Sequence, residues 1–200
     1  GYQHLRVALT QEIAQRPQPL PDADSTHVGR MSAEIASFSN YLRGLTALLD
    51  EQELASTVAV LSSAKRVLVV GNGLSAPLAQ TTALRLSSIG RPAEFVGEAM
   101  GQHIAATQLD SECVCLVISG SGATTLTLNA ATAAEKTGAT IIALTSFTAS
   151  PLAELSAYTL VIPSPDGTFR AELADASRVA FLLILEALVT LVDSHLENVE

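Results

Sequence analysis

The fold is decided by residues 113–125, which read CVCLVISGSGATT. The first six residues are apolar, and a short continuous apolar run of this kind predicts a strand that is buried on both faces. Serine, glycine and threonine follow at once, and they are typical of a tight turn that opens a helix. The stretch therefore predicts a strand at 113–119 and then a helix that runs to residue 137 and ends at Gly138.

The same alternation of strand and helix continues on both sides of this stretch. Apolar runs predict four more strands, at 66–71, 93–97, 140–145 and 158–162. Helical patterns predict helices at 75–89, 98–109 and 170–196, and a short helix opened by Ser150 and Pro151. Apolar strands that alternate with helices predict a parallel sheet covered on both faces. The predicted fold class is α/β, a doubly wound five-stranded parallel sheet flanked by helices.

The residues before the first predicted strand indicate three parts of the chain. Leu5, Leu9 and Ile13 have helical spacing and predict a short helix within residues 1–15. Residues 16–30 hold prolines at alternate positions, which favours an extended linker. Residues 31–200 form the predicted main domain. It opens with two helices, and Asp50 with Glu53 predicts a capping box at the start of the second.

The net charge of −9 lies entirely in the main domain. Residues 1–30 carry three arginines and three acidic residues, which sum to zero. An acidic domain without a basic stripe is a poor nucleic-acid binder, because neutralisation of phosphates supplies most of that affinity. This chain is therefore not expected to bind DNA or RNA by itself.

Composition also bounds the compartment and the cofactor chemistry. No targeting signal opens the chain, so a cytoplasmic protein is expected. The longest apolar stretch, residues 179–192, contains Glu186 and is shorter than a membrane span, which predicts a buried helix. Cys113 and Cys115 lie two residues apart in a predicted strand, where they face the same side and are poorly placed to bridge each other. We expect them to be core thiols, and we expect no metal and no cofactor.

Two strand-to-helix turns carry residues suited to binding an anion. The turn after the central strand holds Ser119, Ser121 and Thr124, interleaved with Gly120 and Gly122. Hydroxyls and backbone N–H groups at a helix start hold a phosphate with the help of the helix dipole. No Lys or Arg is near in sequence and the Gly-Lys-Ser/Thr ending of a P-loop is absent, so a monophosphate fits better than a nucleoside triphosphate with Mg²⁺.

The other turn, residues 71–77, reads GNGLSAP. Gly73 permits a tight turn, Ser75 is placed to cap the helix, and Pro77 suits its first turn. Ligands of doubly wound sheets bind at the carboxyl ends of the strands, so the two turns are expected to form one site. Serine and glycine are also common there as plain turn and cap residues, so a structural role stays open.

These turns resemble the signature loops of SIS (sugar isomerase) domains. The resemblance covers about residues 33–195 and rests on VGNGLS at 70–75 and ISGSGAT at 118–124, with ALTS at 143–146 and SPLA at 150–153 similar to a third landmark. It implies that Ser119, Ser121 and Thr124 bind the phosphate of a phosphosugar, with Ser75 contributing from the first turn. Ala123 departs from the family pattern, in which a polar or charged residue is frequent at this position.

The residues assigned to the phosphosugar site are Ser75, Ser119, Ser121, Thr124, Gly73, Gly120, Gly122 and Glu172. Glu172 lies just before the closing helix and is assigned to a ligand hydroxyl. With Arg170, it is a candidate for setting sugar selectivity.

Residues 1–9 are similar to the end of the helix-turn-helix domain of RpiR-type transcriptional regulators, which join that domain by a linker to a SIS domain that senses a sugar phosphate. The resemblance implies that residues 1–15 are the remnant of this domain and that the DNA-reading helix lies outside the chain. The predicted function is therefore that of a phosphosugar-sensing effector domain, without catalytic residues, which controls DNA binding by the absent domain.

A homodimer is expected from the distribution of apolar residues. The closing helix is apolar nearly all round between residues 179 and 189, yet it lies close to the chain end. One face is expected to cover the sheet and another to meet a second subunit. An apolar seam at residues 35, 38, 42, 45 and 49 is a candidate for the same interface.

Two alternatives stay open. A phosphosugar isomerase such as 6-phospho-3-hexuloisomerase needs a general base near the sugar, and the candidates are Glu98, His103 and Glu172. A dinucleotide-binding domain is indicated loosely by Gly71-x-Gly73-x-x-Ala76. In that case Glu98 is the acidic residue that binds the ribose, but it lies further along the chain from the glycine motif than is usual. The second turn would then have no role.

Overall fold

The computed structural model describes residues 26–164 and 177–198, apart from the side chain of Ser177. Within these residues, helices and strands alternate along the chain as the sequence predicts. The helices are α1 His27–Leu45, α2 Glu51–Ser63, α3 Ala76–Ser88, α4 Ala99–Ala106, α5 Thr125–Lys136, α6 Pro151–Leu155 and α7 Ser177–Glu197. The strands are β1 Arg66–Gly71, β2 Ala93–Phe95, β3 Cys113–Ile118, β4 Thr140–Thr145 and β5 Tyr158–Val161. One-turn 3₁₀ helices lie at Thr46–Leu48 and Gly73–Ser75.

The five strands form one parallel sheet in the order β2-β1-β3-β4-β5. This confirms the predicted doubly wound sheet. The strands β1 and β4 have the predicted bounds, whereas β2 ends at Phe95 instead of residue 97. The direction in which successive strands are added reverses between β1 and β3, and such a reversal is where doubly wound folds bind ligands.

Successive residues of each central strand feed two hydrophobic layers on opposite faces of the sheet. Val67 and Val69 belong to the layer formed with α1, α2, α3 and α7. Leu68 and Val70 belong to the layer formed with α4, α5 and α6. Cys113 and Cys115 lie together in this second layer as buried free thiols, as predicted. Helices on both faces explain why β3 is buried along its whole length.

The first helix begins earlier than the sequence predicts. Thr26 caps α1, because its hydroxyl accepts a hydrogen bond from the Gly29 N–H at 3.0 Å. Residues 27–30, assigned to the linker from their sequence, are therefore helical. The apolar seam also ends sooner than expected, because α1 stops at Leu45 and Leu49 lies beyond it with extended backbone.

The predicted capping box of α2 is half formed. The Asp50 carboxylate accepts from the Glu53 N–H at 3.0 Å, as expected for an N-cap. The Glu53 carboxylate does not complete the box. It accepts a hydrogen bond from the backbone N–H of Thr159 in the edge strand β5, with a nitrogen–oxygen distance of 2.6 Å. A residue predicted to cap its own helix thus ties that helix to the sheet.

The closing helix α7 is a core helix with several exposed apolar side chains. Residues Arg178–Glu197 are long and apolar enough to span a membrane by length and composition. They pack on α2 and α3, and the buried side chains are Ala180, Phe181, Ile184, Leu185, Leu188, Val189 and Val192. Four apolar side chains outside this buried set are exposed to solvent, namely Val179, Leu182, Leu183 and Leu191.

Candidate functional site

The candidate site lies at the carboxyl ends of β1 and β3. These strands are neighbours in the sheet, and their last residues, Gly71 and Ile118, are partners in the register. Residues 72–75, here loop 1, follow β1, and residues 119–124, here loop 2, follow β3. The two turns selected from the sequence therefore lie side by side at the point where the strand order reverses.

Loop 2 is held by the end of β4 and by the residue that follows this strand. The Gly120 carbonyl accepts hydrogen bonds from the Ser146 N–H at 2.9 Å and from the Thr145 hydroxyl at 3.1 Å. The C=O and the following N–H of a trans peptide point in opposite directions. The N–H of Ser121 therefore points away from residues 145–146. The two hydrogen bonds thus fix the direction of this backbone donor.

Gly122 is required by the shape of loop 2. Its φ is +60°, a left-handed conformation that residues with a Cβ rarely adopt. A Cβ at this position would lie 2.3 Å from the Ser150 Oγ and 2.9 Å from the Thr145 Oγ1. Its N–H donates to the Ser119 carbonyl at 3.0 Å, and its carbonyl accepts from the Leu152 N–H at 3.0 Å. The glycine thus lets loop 2 pack directly against the start of α6.

The hydroxyls of loop 2 differ in exposure. Ser119 is only 4% exposed, whereas Ser121 is half-buried and Thr124 is exposed. The Ser121 Oγ lies 3.4 Å from the Thr124 Oγ1 and accepts from the Ala123 N–H at 3.2 Å. Ser121 and Thr124 are therefore brought together and are accessible, whereas Ser119 is buried.

The start of α5 offers backbone donors to an anion. Thr124 occupies the N-cap position, and its side chain makes no capping hydrogen bond. The first helical bond runs from the Leu128 N–H to the Thr124 carbonyl, so the N–H groups of the first turn have no intrahelical partner. These groups and the positive end of the helix dipole favour a bound phosphate. Neither loop contains Lys or Arg, so such a site is built from neutral donors.

Loop 1 forms a one-turn 3₁₀ helix that leads into α3. Gly73 has a φ of +57°, which agrees with the predicted tight turn, and the Ser75 N–H donates to the Asn72 carbonyl at 3.1 Å. The prediction that the Ser75 hydroxyl caps α3 is wrong. Ser75 stands at the N-cap, but it has helical backbone angles and makes no side-chain capping bond. Its partly buried hydroxyl is therefore not committed to the helix.

A buried amide network joins loop 1 to the first turn of α5, and sequence reasoning missed it. The Asn72 Nδ2 donates to the Gln102 Oε1 and to the Thr127 Oγ1, both at 3.0 Å. The Gln102 Nε2 donates to the carbonyls of Gly71 at 3.1 Å and of Val96 at 2.8 Å. Gln102 is fully buried and Thr127 is 1% exposed. The available signal was a glutamine on the core-facing side of α4, which by itself does not indicate its partners.

Of the three candidate general bases, the structure describes Glu98 and His103. Both oxygens of the Glu98 carboxylate cap α4, because they accept from the Met100 and Gly101 N–H groups at 2.9 Å each. These backbone hydrogen bonds lower the pKa of Glu98 below its ordinary value, so its carboxylate is a weak base. His103 is exposed, and its Nδ1 lies 3.3 Å from the Asn129 carbonyl. Glu172 and Arg170 lie outside the described residues.

Comparison with known proteins agrees with this geometry. The family model described as SIS domain matches residues 60–192 of the 200, a segment that includes both loops. A helix-turn-helix-type transcriptional regulator of Caldanaerobacter subterraneus is 30% identical over 196 residues. The alignment covers 96% of this chain and 69% of that regulator.

Solved structures of regulators and of an inferred isomerase share the fold. NanR of Vibrio vulnificus, complexed with ManNAc-6P, has 27% identity and a TM-score of 0.75 over 98% of this chain and 68% of its own. The sugar isomerase domain of an RpiR transcription factor from Sphaerobacter thermophilus has 20% identity and a TM-score of 0.72 over 84% of this chain and 92% of its own. MJ1247 of Methanococcus jannaschii, with an inferred 3-hexulose-6-phosphate isomerase function, has 21% identity and a TM-score of 0.64 over 84% of this chain and 92% of its own.

Proposed function

Since this chain belongs to the SIS domain family, we propose that it is the phosphosugar-sensing effector domain of a helix-turn-helix-type transcriptional regulator. The observation that carries the proposal is the form of loop 2, a rigid hydroxyl-bearing turn that opens onto the uncapped start of α5. A phosphate ester of a sugar fits these neutral donors. The complex of NanR with ManNAc-6P supports a ligand of this class.

In this proposal each loop residue has a defined role. Ser121 and Thr124 donate their hydroxyls to the phosphate, together with the N–H groups at the start of α5. Ser119 is buried and contributes where the loop adjusts to the ligand, and Ser75 contributes from loop 1. Gly73, Gly120 and Gly122 give the two loops their shape. Glu172 is retained as a proposed contact of a sugar hydroxyl.

The signal is proposed to pass to DNA through a separate part of the protein. Residues 1–15 are proposed to be the end of a helix-turn-helix domain and residues 16–30 the linker, apart from the helical residues 27–30. The chain covers 69% of a similar helix-turn-helix-type regulator, which leaves room in that protein for a further part. Control of DNA binding then requires that the ligand has different affinities for two states of the regulator. A regulator of this type is proposed to act in the cytoplasm.

A second copy of this chain is proposed to cover the exposed apolar side chains of α7. Val179 and Leu183 are 50% and 48% exposed on α7, and Leu84 is 66% exposed on α3, against which α7 packs. Large apolar side chains left exposed on two packed helices are typical of an interaction surface. Light scattering at micromolar concentration is expected to give the mass of a homodimer, and Leu183→Glu is expected to reduce it to that of a monomer. A monomeric wild type contradicts the proposal.

The isomerase alternative rests on likeness of fold, as to MJ1247. Among the described candidates, Glu98 gives it no support as a general base, because its carboxylate caps α4. Turnover is therefore measured on the same compounds as binding. Interconversion of an aldose and a ketose phosphate at rates above background would show that the protein is an isomerase and not a sensor.

The test of the proposed function is a thermal-shift and calorimetric screen against sugar phosphates, their unphosphorylated parents and NAD. A ligand that binds only the folded state stabilises it by about 2.7 kcal/mol at a hundred times its Kd. We expect shifts with one or a few phosphosugars and none with the parent sugars. A shift with NAD alone indicates a dinucleotide domain instead.

The variant Ser121→Ala tests the assigned loop. Loss of a hydrogen bond to a charged group costs about 1.5–3 kcal/mol, so the Kd of the phosphosugar should rise by roughly 10- to 100-fold. The control is Ser63→Ala, an exposed serine in α2 whose hydroxyl bonds only to its own helix. An unchanged Kd in Ser121→Ala removes loop 2 from the site.

A further inference from the structure

The amide network described above connects the starts of two helices that lie on opposite faces of the sheet. Helix α3 follows loop 1 and contributes Leu78 and Ala79 to one hydrophobic layer. Helix α5 follows loop 2 and contributes Ala130 and Ala131 to the other layer. The strands hold the two loops at neighbouring positions, but each helix is packed against different partners. A separate contact is needed to fix the loops relative to each other.

The hydrogen bond from Asn72 to Thr127 is such a contact. Asn72 is the N-cap residue of the 3₁₀ turn in loop 1, and Thr127 lies in the first turn of α5, directly after loop 2. The second hydrogen of the Asn72 amide goes to Gln102, so the orientation of this amide is determined by two acceptors. Gln102 is in turn oriented by two carbonyls, that of Gly71 at the end of β1 and that of Val96 directly after β2.

Burial makes the network costly to leave incomplete. Gln102 has an exposed fraction of 0% and Thr127 of 1%, so water does not readily replace a lost partner. The described hydrogen bonds use both amide hydrogens and the carbonyl oxygen of Gln102. A residue that only filled space in α4 would need none of these bonds.

We infer that Gln102 and Thr127 are positioning residues, which hold loop 1 against loop 2 so that Ser75 and Ser121 reach the same bound phosphosugar. The inference rests on the proposed function and adds to it the residues that set the spacing of the two loops. Neither positioning residue touches the ligand. Their effect on affinity passes through Asn72 and loop 1.

The test is a double-mutant cycle that reads affinity for the tightest binder among N-acetylmannosamine 6-phosphate, arabinose 5-phosphate, glucose 6-phosphate and fructose 6-phosphate. Thr127→Val is expected to raise the Kd about five- to tenfold, equivalent to the loss of one hydrogen bond. Ser75→Ala should raise the Kd in the wild type but have little further effect in Thr127→Val. Ser121→Ala should have the same effect in both backgrounds.

Two controls separate positioning from general loss of stability. Thr127→Ser keeps the hydroxyl and should retain the wild-type Kd. Thr82→Val removes a buried hydroxyl in α3 that bonds at 2.8 Å to the Leu78 carbonyl of the same helix, and it should leave the Kd unchanged. Gln102→Met is expected to reproduce the pattern of Thr127→Val if it folds, and the inference is tested by the Thr127 variants in either case.

The possible outcomes are distinct. If Ser75→Ala has no effect in the wild type, loop 1 does not touch the ligand and the inference is wrong. The same holds if Thr127→Val binds as the wild type does, or if its effect simply adds to that of Ser75→Ala. Failure of the wild type to bind any of the four phosphosugars overturns the proposed function, and the inference with it.

Discussion

Replacement of Gly122 by alanine tests the packing of loop 2 most directly. The φ of +60° costs a residue with a Cβ about 1–2 kcal/mol. The new Cβ would lie 2.3 Å from the Ser150 Oγ, 2.6 Å from the Ser150 Cβ and 2.9 Å from the Thr145 Oγ1, and both neighbours are buried. Relief of such overpacking costs about 1–3 kcal/mol more. We therefore expect Gly122→Ala to lower the free energy of unfolding by about 2–5 kcal/mol.

Gly73→Ala is the matched control. Its φ of +57° is nearly the same, but within the described part of the chain no neighbouring heavy atom lies within 4 Å of the added Cβ. The control should therefore lose only the backbone part, about 1–2 kcal/mol. Urea unfolding of both variants at pH 7 gives the two free energies, and equal m-values show that the denatured states are comparable. A loss in Gly122→Ala no larger than that in Gly73→Ala would refute the packing of loop 2 against Ser150 and Thr145.

Three further predictions concern buried and charged groups outside the loops. Among the described residues the fully buried Thr57 Oγ1 finds no hydrogen-bond partner, so Thr57→Val should raise stability by about 1 kcal/mol, or about 2–4 °C in Tm. A lower Tm contradicts this. Burial raises the pKa of the Cys115 thiol to about 12 and that of the Cys113 thiol above its ordinary value. A disulfide reagent at pH 8 should therefore modify both thiols only after the protein unfolds. Rapid reaction of the native protein would show that they lie at the surface. Hydrogen bonds from the Cys113 thiol, from the Lys65 ammonium and from a backbone N–H lower the pKa of Asp110. The stability that Asp110 contributes is therefore present above its unfolded-state pKa of about 3.9 and is lost as the pH falls through the lower folded-state pKa. The Tm of Asp110→Asn should lie below that of the wild type at pH 7 and approach it toward pH 3. A constant difference in Tm across this range would show that the Asp110 carboxylate does not contribute this stability.

The sequence was sufficient for the sheet and for the adjacency of the two turns, because both depend on local patterns. The apolar run of β3 ends where Ser119 begins, and parallel strands place their following turns at the same edge. The two turns are therefore adjacent in the fold as predicted. Gly73 and Gly122, selected as turn residues, both have left-handed backbone angles. Each of these predictions needed only a few neighbouring residues.

The sequence was insufficient where a side chain bonds to a distant segment. Gln102 bonds to Gly71, 31 residues away, and the Glu53 carboxylate bonds to Thr159, 106 residues away. Local rules gave Gln102 no role, placed the Glu53 carboxylate at its own helix start, and expected Ser75 to cap α3. Tertiary contacts decide between a cap and a long-range partner, and a sequence does not show which partner comes near.

The bond between Glu53 and Thr159 also affects how the folded protein behaves at high concentration. β5 is an edge strand, and an unpaired backbone N–H on such an edge is a template to which a strand of another molecule adds. The Glu53 carboxylate occupies this N–H and places a negative charge beside it. The opposite edge, β2, has only three residues, so it offers little length for pairing. Both edge strands are thus protected against edge-to-edge aggregation, β5 because a helix side chain occupies its N–H and β2 because it is short.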